Sequence, residues 1–308
     1  MGRHIRPPSG EQTEIAHGDQ RAVVVEVGGG LRTYTAGGRA ILDGYDETEL
    51  CVGGRGQPLI PWPNRIRDGH YEWEGRSLQL DISEPERGNA LHGLTRWRNW
   101  RIAEREPARV VIEEVLHPTP GYPFALELQI TYELLDHGLV VTTRAQNVGR
   151  EAAPYGVGFH PYLQRPDASP IDDAILTVPA AVELVADERM IPTGRRSPSG
   201  GALDFSTPRA IGEVVIDTCF TDLIRDADGL ARFVFAEPDG SAHAVVWFDD
   251  SYPYVMVYTA DTLPAPERRR GIAIEPMTCA PNAFQTGEGL IRLEPGGTHE
   301  ARWGITAS

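Results

Sequence analysis

The chain is 308 residues long, and its 29 basic side chains against 44 acidic ones leave a net charge of −15 (29 − 44). All 29 are arginine, so a Schiff-base aldolase, a pyridoxal-phosphate enzyme anchored on lysine and a Walker-A phosphate loop are excluded, because each needs the missing amine. The negative charge also speaks against nucleic acid and anionic membrane surfaces as partners.

In chain order, residues 1–18 read as a loose tail. Pro7, Pro8, Glu11 and Glu14 stand where a signal peptide would be apolar. Residues 19–308 read as one domain. Ala22 to Val27 is a first short strand, and Gly28-Gly29-Gly30 follows it. Leu31 to Ala36 then continues as another strand and not as a helix, so a dinucleotide loop fails its context test.

The segment from Pro61 to Gly69 places Asn64, Arg65 and Arg67 beside Trp62, between Pro61 and Pro63. Planar donors for hydroxyls and an aromatic face for a ring are what a sugar site uses. Glu84 to Asn89 is a polar loop leading into Asn89-Ala90-Leu91-His92-Gly93, with Trp97 and Trp100 beyond.

Val110 to Leu116 is a β-branched run. From Phe124 to Leu134 apolar and polar residues alternate over eleven positions, which is the period of a half-buried antiparallel strand. Asp136-His137-Gly138 makes a turn, and Leu139 to Thr143 returns as the other arm of a hairpin. Gly156 to Tyr162 sets His160 between an aromatic residue and a proline. Gln164 to Asp173 and Thr193 to Leu203 read as loops, with Asp172-Asp173 and later Asp249-Asp250 as turn residues.

Further short strands are expected at Ala231 to Phe235, His243 to Phe248, Tyr254 to Tyr258 and Gly271 to Glu275. Arg268-Arg269-Arg270, the one tight basic run, reads as a solvated loop before the last of these. Glu275 closes a very apolar strand. Partial burial there would raise its pKa and suit it to general-base work.

No window shows a sustained helical period, and strands do not alternate with helices, so the chain is expected to be all-β, a single large antiparallel β-sandwich. Cys51, Cys219 and Cys279 are odd in number and far apart, which indicates neither a disulfide framework nor a zinc pair. Gly-x-Ser-x-Gly and His-Glu-x-x-His are absent, and no metal or cofactor is implied. Eighteen apolar residues never run together, so a soluble, cytoplasmic protein is expected.

Taken together, five stretches in this order resemble the aldose 1-epimerase (galactose mutarotase) family. They are Asn64-Arg65-Ile66 with Gly69, Tyr71, Trp73 and Gly75; Asn89-Ala90-Leu91-His92-Gly93; Phe159-His160-Pro161-Tyr162; Ile216-Asp217 with Phe220; and Ile274-Glu275-Pro276-Met277-Thr278 leading to Pro281-Asn282-Ala283-Phe284.

The resemblance implies a galactose mutarotase-like supersandwich with an open groove for a free aldose, and cofactor-independent exchange of α and β anomers. It implies Glu275 as the base at the anomeric hydroxyl and His160 as the acid at the ring oxygen. Arg65, His92, Asp217 and Asn64 would hold the sugar. Asp204 and Asp222 are alternatives to Asp217. Two other functions stay open. One is a hexose-6-phosphate 1-epimerase, for which Arg67, Arg96 and Arg98 supply nearby cations, and the other is a carbohydrate-binding protein without turnover.

Overall fold

Alternating apolar residues build the centre of the molecule, seen in a computed structural model that describes residues 6–308. Leu126, Leu128, Ile130, Tyr132 and Leu134 are all buried on one side of strand Leu126–Leu135, while the residues between them are partly or fully exposed. This strand pairs residue for residue with Gly138–Asn147 across the Asp136-His137 turn. The expected hairpin is present, two residues later at its start because Phe124 is buried in a loop.

The hairpin lies in a nine-stranded sheet ordered Arg101–Glu106, Arg109–Leu116, Leu126–Leu135, Gly138–Asn147, Thr298–Ala307, His243–Phe248, Ala231–Ala236, Ile175–Thr177 and Arg209–Ala210. A second sheet runs Pro192–Arg196, Ala180–Ala186, Asp217–Leu223, Tyr254–Tyr258, Gly271–Met277, Gly158–Phe159 and Pro58–Leu59, with Tyr162–Gln164 also pairing Gly271–Met277. Every pair in both sheets is antiparallel. Phe159 of the second sheet meets Trp303 of the first at 5.1 Å between ring centroids, so the shared core is the interior of a β-sandwich, as expected.

One expectation changes, at the N-terminus, while the strand expected after the glycine run is present as Leu31–Ala36. Residues 1–5 lie outside the described residues, but Gln12–His17 is a strand paired with Gln20–Val25 and is no loose tail. Its alternation is short and carries Glu14, which is why it escapes a periodicity test. The triple glycine is there for close packing: a Cβ on Gly29 would stand 2.8 Å from the Trp100 ring, and one on Gly28 2.6 Å from the Arg96 carbonyl oxygen.

Three smaller expectations also shift. Thr193 lies within strand Pro192–Arg196 and not in a loop. A 3₁₀ turn, Ile171–Asp173, closes the Gln164 segment. Only Arg268 of the basic run is exposed, because Arg269 pairs with Asp172 and Asp261 and Arg270 pairs with Asp43.

Candidate active site

Six separate segments converge on the open face of the second sheet. In an antiparallel sheet, directly paired residues point to the same side, as do residues two apart on one strand. Glu275 pairs with Met256, and Tyr258 pairs with both Asp217 and Ala273. Glu275, Met256, Tyr258 and Asp217 therefore project together, and all four line one cleft with Asn64, Arg65, His92, Arg96, His160 and Tyr162. All six residues expected at the site are thus brought together. The alternatives to Asp217 are not: Asp204 accepts from Ser206 in an exposed turn, and Asp222 is exposed.

The cleft has a volume of about 220 Å³.

At the floor, His160 Nε2 lies 3.2 Å from Glu275 Oε1, and the two side chains are 6% and 3% exposed. Burial drives the pair in opposite directions. Glu275 is held well above its ordinary 4.5, first by desolvation and then by the nearby Asp217 charge. His160 is pushed down from 6.5 to about 3 by desolvation and by Arg96. Both shifts disfavour the charged form. Burial thus favours a protonated carboxyl beside a neutral imidazole.

His92 sits at the left-handed φ of +61° directly after strand Asn89–Leu91. Gly93 follows it at φ +71°, where a Cβ would stand 2.1 Å from the Ile60 carbonyl oxygen. Only glycine fits there. The Asn64 backbone N–H donates to His92 Nδ1 at 3.1 Å, and the His92 N–H returns to the Asn64 carbonyl. With Nδ1 accepting, the proton of neutral His92 resides on Nε2, and burial keeps the ring neutral.

Arg65 is clamped by Glu84 through Nε and Nη2, both at 2.9 Å, and the pair is about 10% exposed. Glu84 also accepts from Arg87 and Asn89. Burial alone would raise the Glu84 carboxyl, but these donors hold it below the usual range. Glu84 sits in a loop that shows no recognisable sequence pattern, so sequence reasoning passes over it. Burial raises Asp217.

Arg96 was weighed in the sequence only as a phosphate ligand. It lines the cleft with Nε donating to Gln57 Oε1 at 2.9 Å. Arg67 and Arg98 stay outside the lining and are neutralised by Asp187 and Glu114.

A sequence model of the aldose 1-epimerase family matches residues 11–306. The chain belongs to the aldose 1-epimerase family. Membership makes it a carbohydrate epimerase by family, with a small sugar as its class of substrate. The chain is 36% identical over 298 residues to the uncharacterized protein YihR of Escherichia coli strain K12, covering 96% of this chain and 93% of that one. It is 34% identical to human galactose mutarotase over 161 residues, which is 50% of this chain and 46% of that protein.

The fold superposes on a GalM/aldose epimerase homologue from C. elegans with a TM-score of 0.86 at 19% identity, covering 97% of this chain and 98% of that one. A second crystal structure, that of a putative aldose 1-epimerase from E. coli K12, gives 0.83 at 19% identity, covering 97% and 99%. Among the described residues no helix is long and apolar enough to cross a membrane.

Proposed function

We propose that the protein interconverts the α and β anomers of an unphosphorylated aldose, without a cofactor, by opening and reclosing the ring. The observation that carries this reading is the buried Glu275–His160 contact of 3.2 Å at the floor of the cleft. The two oxygens that exchange protons in a cyclic hemiacetal sit on one carbon, so a base and an acid serving both must reach the same end of the ring, as these two neighbouring side chains can.

The steps balance on one shared proton. Desolvation favours the resting proton on Glu275, and it crosses to His160 Nε2 before the ring opens. Glu275 then takes the proton of the anomeric hydroxyl, the C1–O electron pair closes to a carbonyl, the bond from C1 to the ring oxygen breaks, and His160 protonates that oxygen. Rotation about C1–C2 presents the other carbonyl face, and the same transfers in reverse close the ring. The pair begins and ends with one proton. Each positioned transfer contributes about 10² to 10⁴ in rate.

His92 Nε2–H, the Arg65 guanidinium and Asp217 supply donors and an acceptor for the hydroxyls. Asn64 acts mainly by fixing His92 through its backbone, with its side-chain oxygen turned back to the Arg65 N–H at 2.9 Å.

The phosphate alternative loses support because only Arg96 of its three cations reaches the cleft. Polarimetry of freshly dissolved α-aldoses tests the reading. Relaxation no faster than in buffer across common aldoses overturns it, and acceleration confined to a sugar 6-phosphate favours the alternative. Glu275→Gln separates enzyme from binder, since turnover should be lost while sugar binding persists.

A further inference from the structure

A histidine that moves a proton at one nitrogen is ordinarily oriented by a hydrogen bond at the other. His160 lacks one: its buried Nδ1 meets no partner among the described residues. Packing takes the place of that bond. The Tyr162 ring stacks on the imidazole at 4.8 Å between centroids and 10° between planes. His92 meets its edge at 5.4 Å and 78°. Gly54, at φ +75°, lies so close that a Cβ there would stand 3.1 Å from His160 Cδ2.

Tyr162 is itself held in place. Its hydroxyl donates to the Gly53 carbonyl at 3.1 Å, and the Arg55 guanidinium carbon lies 5.0 Å from its ring centroid. Arg55 is 3% exposed and donates to Asp43 Oδ2 from Nε at 3.2 Å and from Nη2 at 3.0 Å. Its Nη1 donates to the Val52 carbonyl. Asp43 Oδ1 accepts from Arg270 at 2.6 Å.

Backbone bonds close the circuit. The Asp43 N–H donates to the Tyr162 carbonyl at 2.8 Å, Gly56 N–H donates to the His160 carbonyl at 2.9 Å, and His160 N–H donates to the Gln57 carbonyl at 3.1 Å. A buried ion pair of this kind adds little stability over a well-packed apolar replacement, whereas a cation fixed over an aromatic ring constrains that ring's tilt.

We propose that Arg55, anchored on Asp43, is a positioning residue that acts through the Tyr162 ring to hold the His160 imidazole in plane with its proton partner. The proposal rests on His160 being the acid of the reaction given under Proposed function. Arg55 touches neither His160 Nε2 nor Glu275. Its effect is geometric, and a misplacement of about 1 Å at the reacting atoms costs roughly 10²-fold in rate.

The test uses the whole protein, with polarimetry on whichever aldose the wild type turns over. Replacing both members of the ion pair, Arg55→Met with Asp43→Asn, removes both fully buried charges and leaves only the part-exposed Arg270 without its carboxylate. The expected result is a fall in kcat of about 10- to 100-fold with KM changed less than about threefold. Arg55→Lys, which keeps the charge but not the planar fork, should recover part of the loss. Tyr162→Phe keeps the stacked ring and should exceed Tyr162→Leu in kcat by at least about tenfold. In the Tyr162→Leu background the ion-pair replacement should cost nothing more.

A folded ion-pair variant with wild-type kcat overturns the proposal. So does a loss confined to KM, and so does equal activity of the two Tyr162 variants. If the ion-pair variant does not fold, Arg55→Lys decides with the Tyr162 comparison: wild-type kcat without the planar fork overturns the proposal. A wild type inactive on every aldose overturns the proposed reaction itself, and this inference with it.

Discussion

Replacing Glu275 by glutamine removes the base while keeping the shape of a side chain that is 3% exposed and in contact with His160. Two consequences follow from the same carboxyl. The kinetic one is the loss of a positioned proton transfer, about 10² to 10⁴ in kcat, or about 3 to 5 kcal/mol of barrier.

The thermodynamic consequence depends on pH. Folded Glu275 holds its proton well above 4.5, the value for the unfolded chain. Above that pH the native state binds a proton that the unfolded state has lost. A raised carboxyl therefore supports folding fully below pH 4.5, and that contribution is lost as pH rises through the folded pKa, at up to about 1.4 kcal/mol per unit. The glutamine variant has no such loss.

The stability of the variant relative to wild type should accordingly improve by up to about 3 kcal/mol between pH 5.5 and pH 7.5, two units of that slope. Polarimetry reads the rate, and urea unfolding at the two pH values reads the stability difference. Activity within about tenfold of wild type would refute the role of Glu275 as base. An unchanged stability difference between the two pH values would refute the buried, protonated resting state.

Other substitutions test the scaffold around the pair. Gly93→Ala should cost about 2 to 5 kcal/mol from the left-handed φ and the contact with the Ile60 carbonyl, and should lower the melting temperature by about 5 °C or more; a melting temperature within one degree of wild type would contradict this. Glu84→Gln, which breaks the buried Arg65 clamp, should destabilise by about 3 kcal/mol and raise KM for the sugar, so an unchanged KM would show that the clamp does not present Arg65. Asp217→Asn removes a like charge beside Glu275 and should move the alkaline limb of the kcat/KM profile to lower pH; a limb that stays put would uncouple the two carboxyls. Replacing His160 by Gln removes a ring held down to about 3, whose neutral form supports folding above pH 6.5 and loses that support as pH falls. The variant's denaturation midpoint should therefore drop less than that of wild type between pH 6.5 and pH 4.5.

The alternation of Leu126 to Leu134 and the Asp136 turn were enough to place the central hairpin, because a strand with one wet face writes its burial into the sequence at period two. The cleft-lining residues were legible for a different reason: Asn64, Arg65, His92, His160 and Glu275 sit in short punctuated segments whose order resembles the family. What was not legible is what holds them. Glu84 reads as one more loop carboxylate until Arg65, Arg87 and Asn89 are seen around it. Arg55 lies in a glycine-dense run whose purpose depends on Tyr162, more than a hundred residues away. Strand register, through Tyr258, brings Asp217 to the cleft and leaves Asp204 and Asp222 outside it, and register between distant strands is absent from local pattern.

In the proposed reaction Glu275 and His160 exchange protons with a sugar so as to open and reclose its ring. Magnetisation-transfer NMR on an equilibrated aldose observes this directly, because it follows the passage of molecules between the α and β anomeric signals with no net reaction. Wild-type protein should raise that exchange rate well above buffer in proportion to its concentration, and Glu275→Gln should return it to near the buffer value. Exchange no faster than buffer with wild type, or equal acceleration by both proteins, would contradict the account.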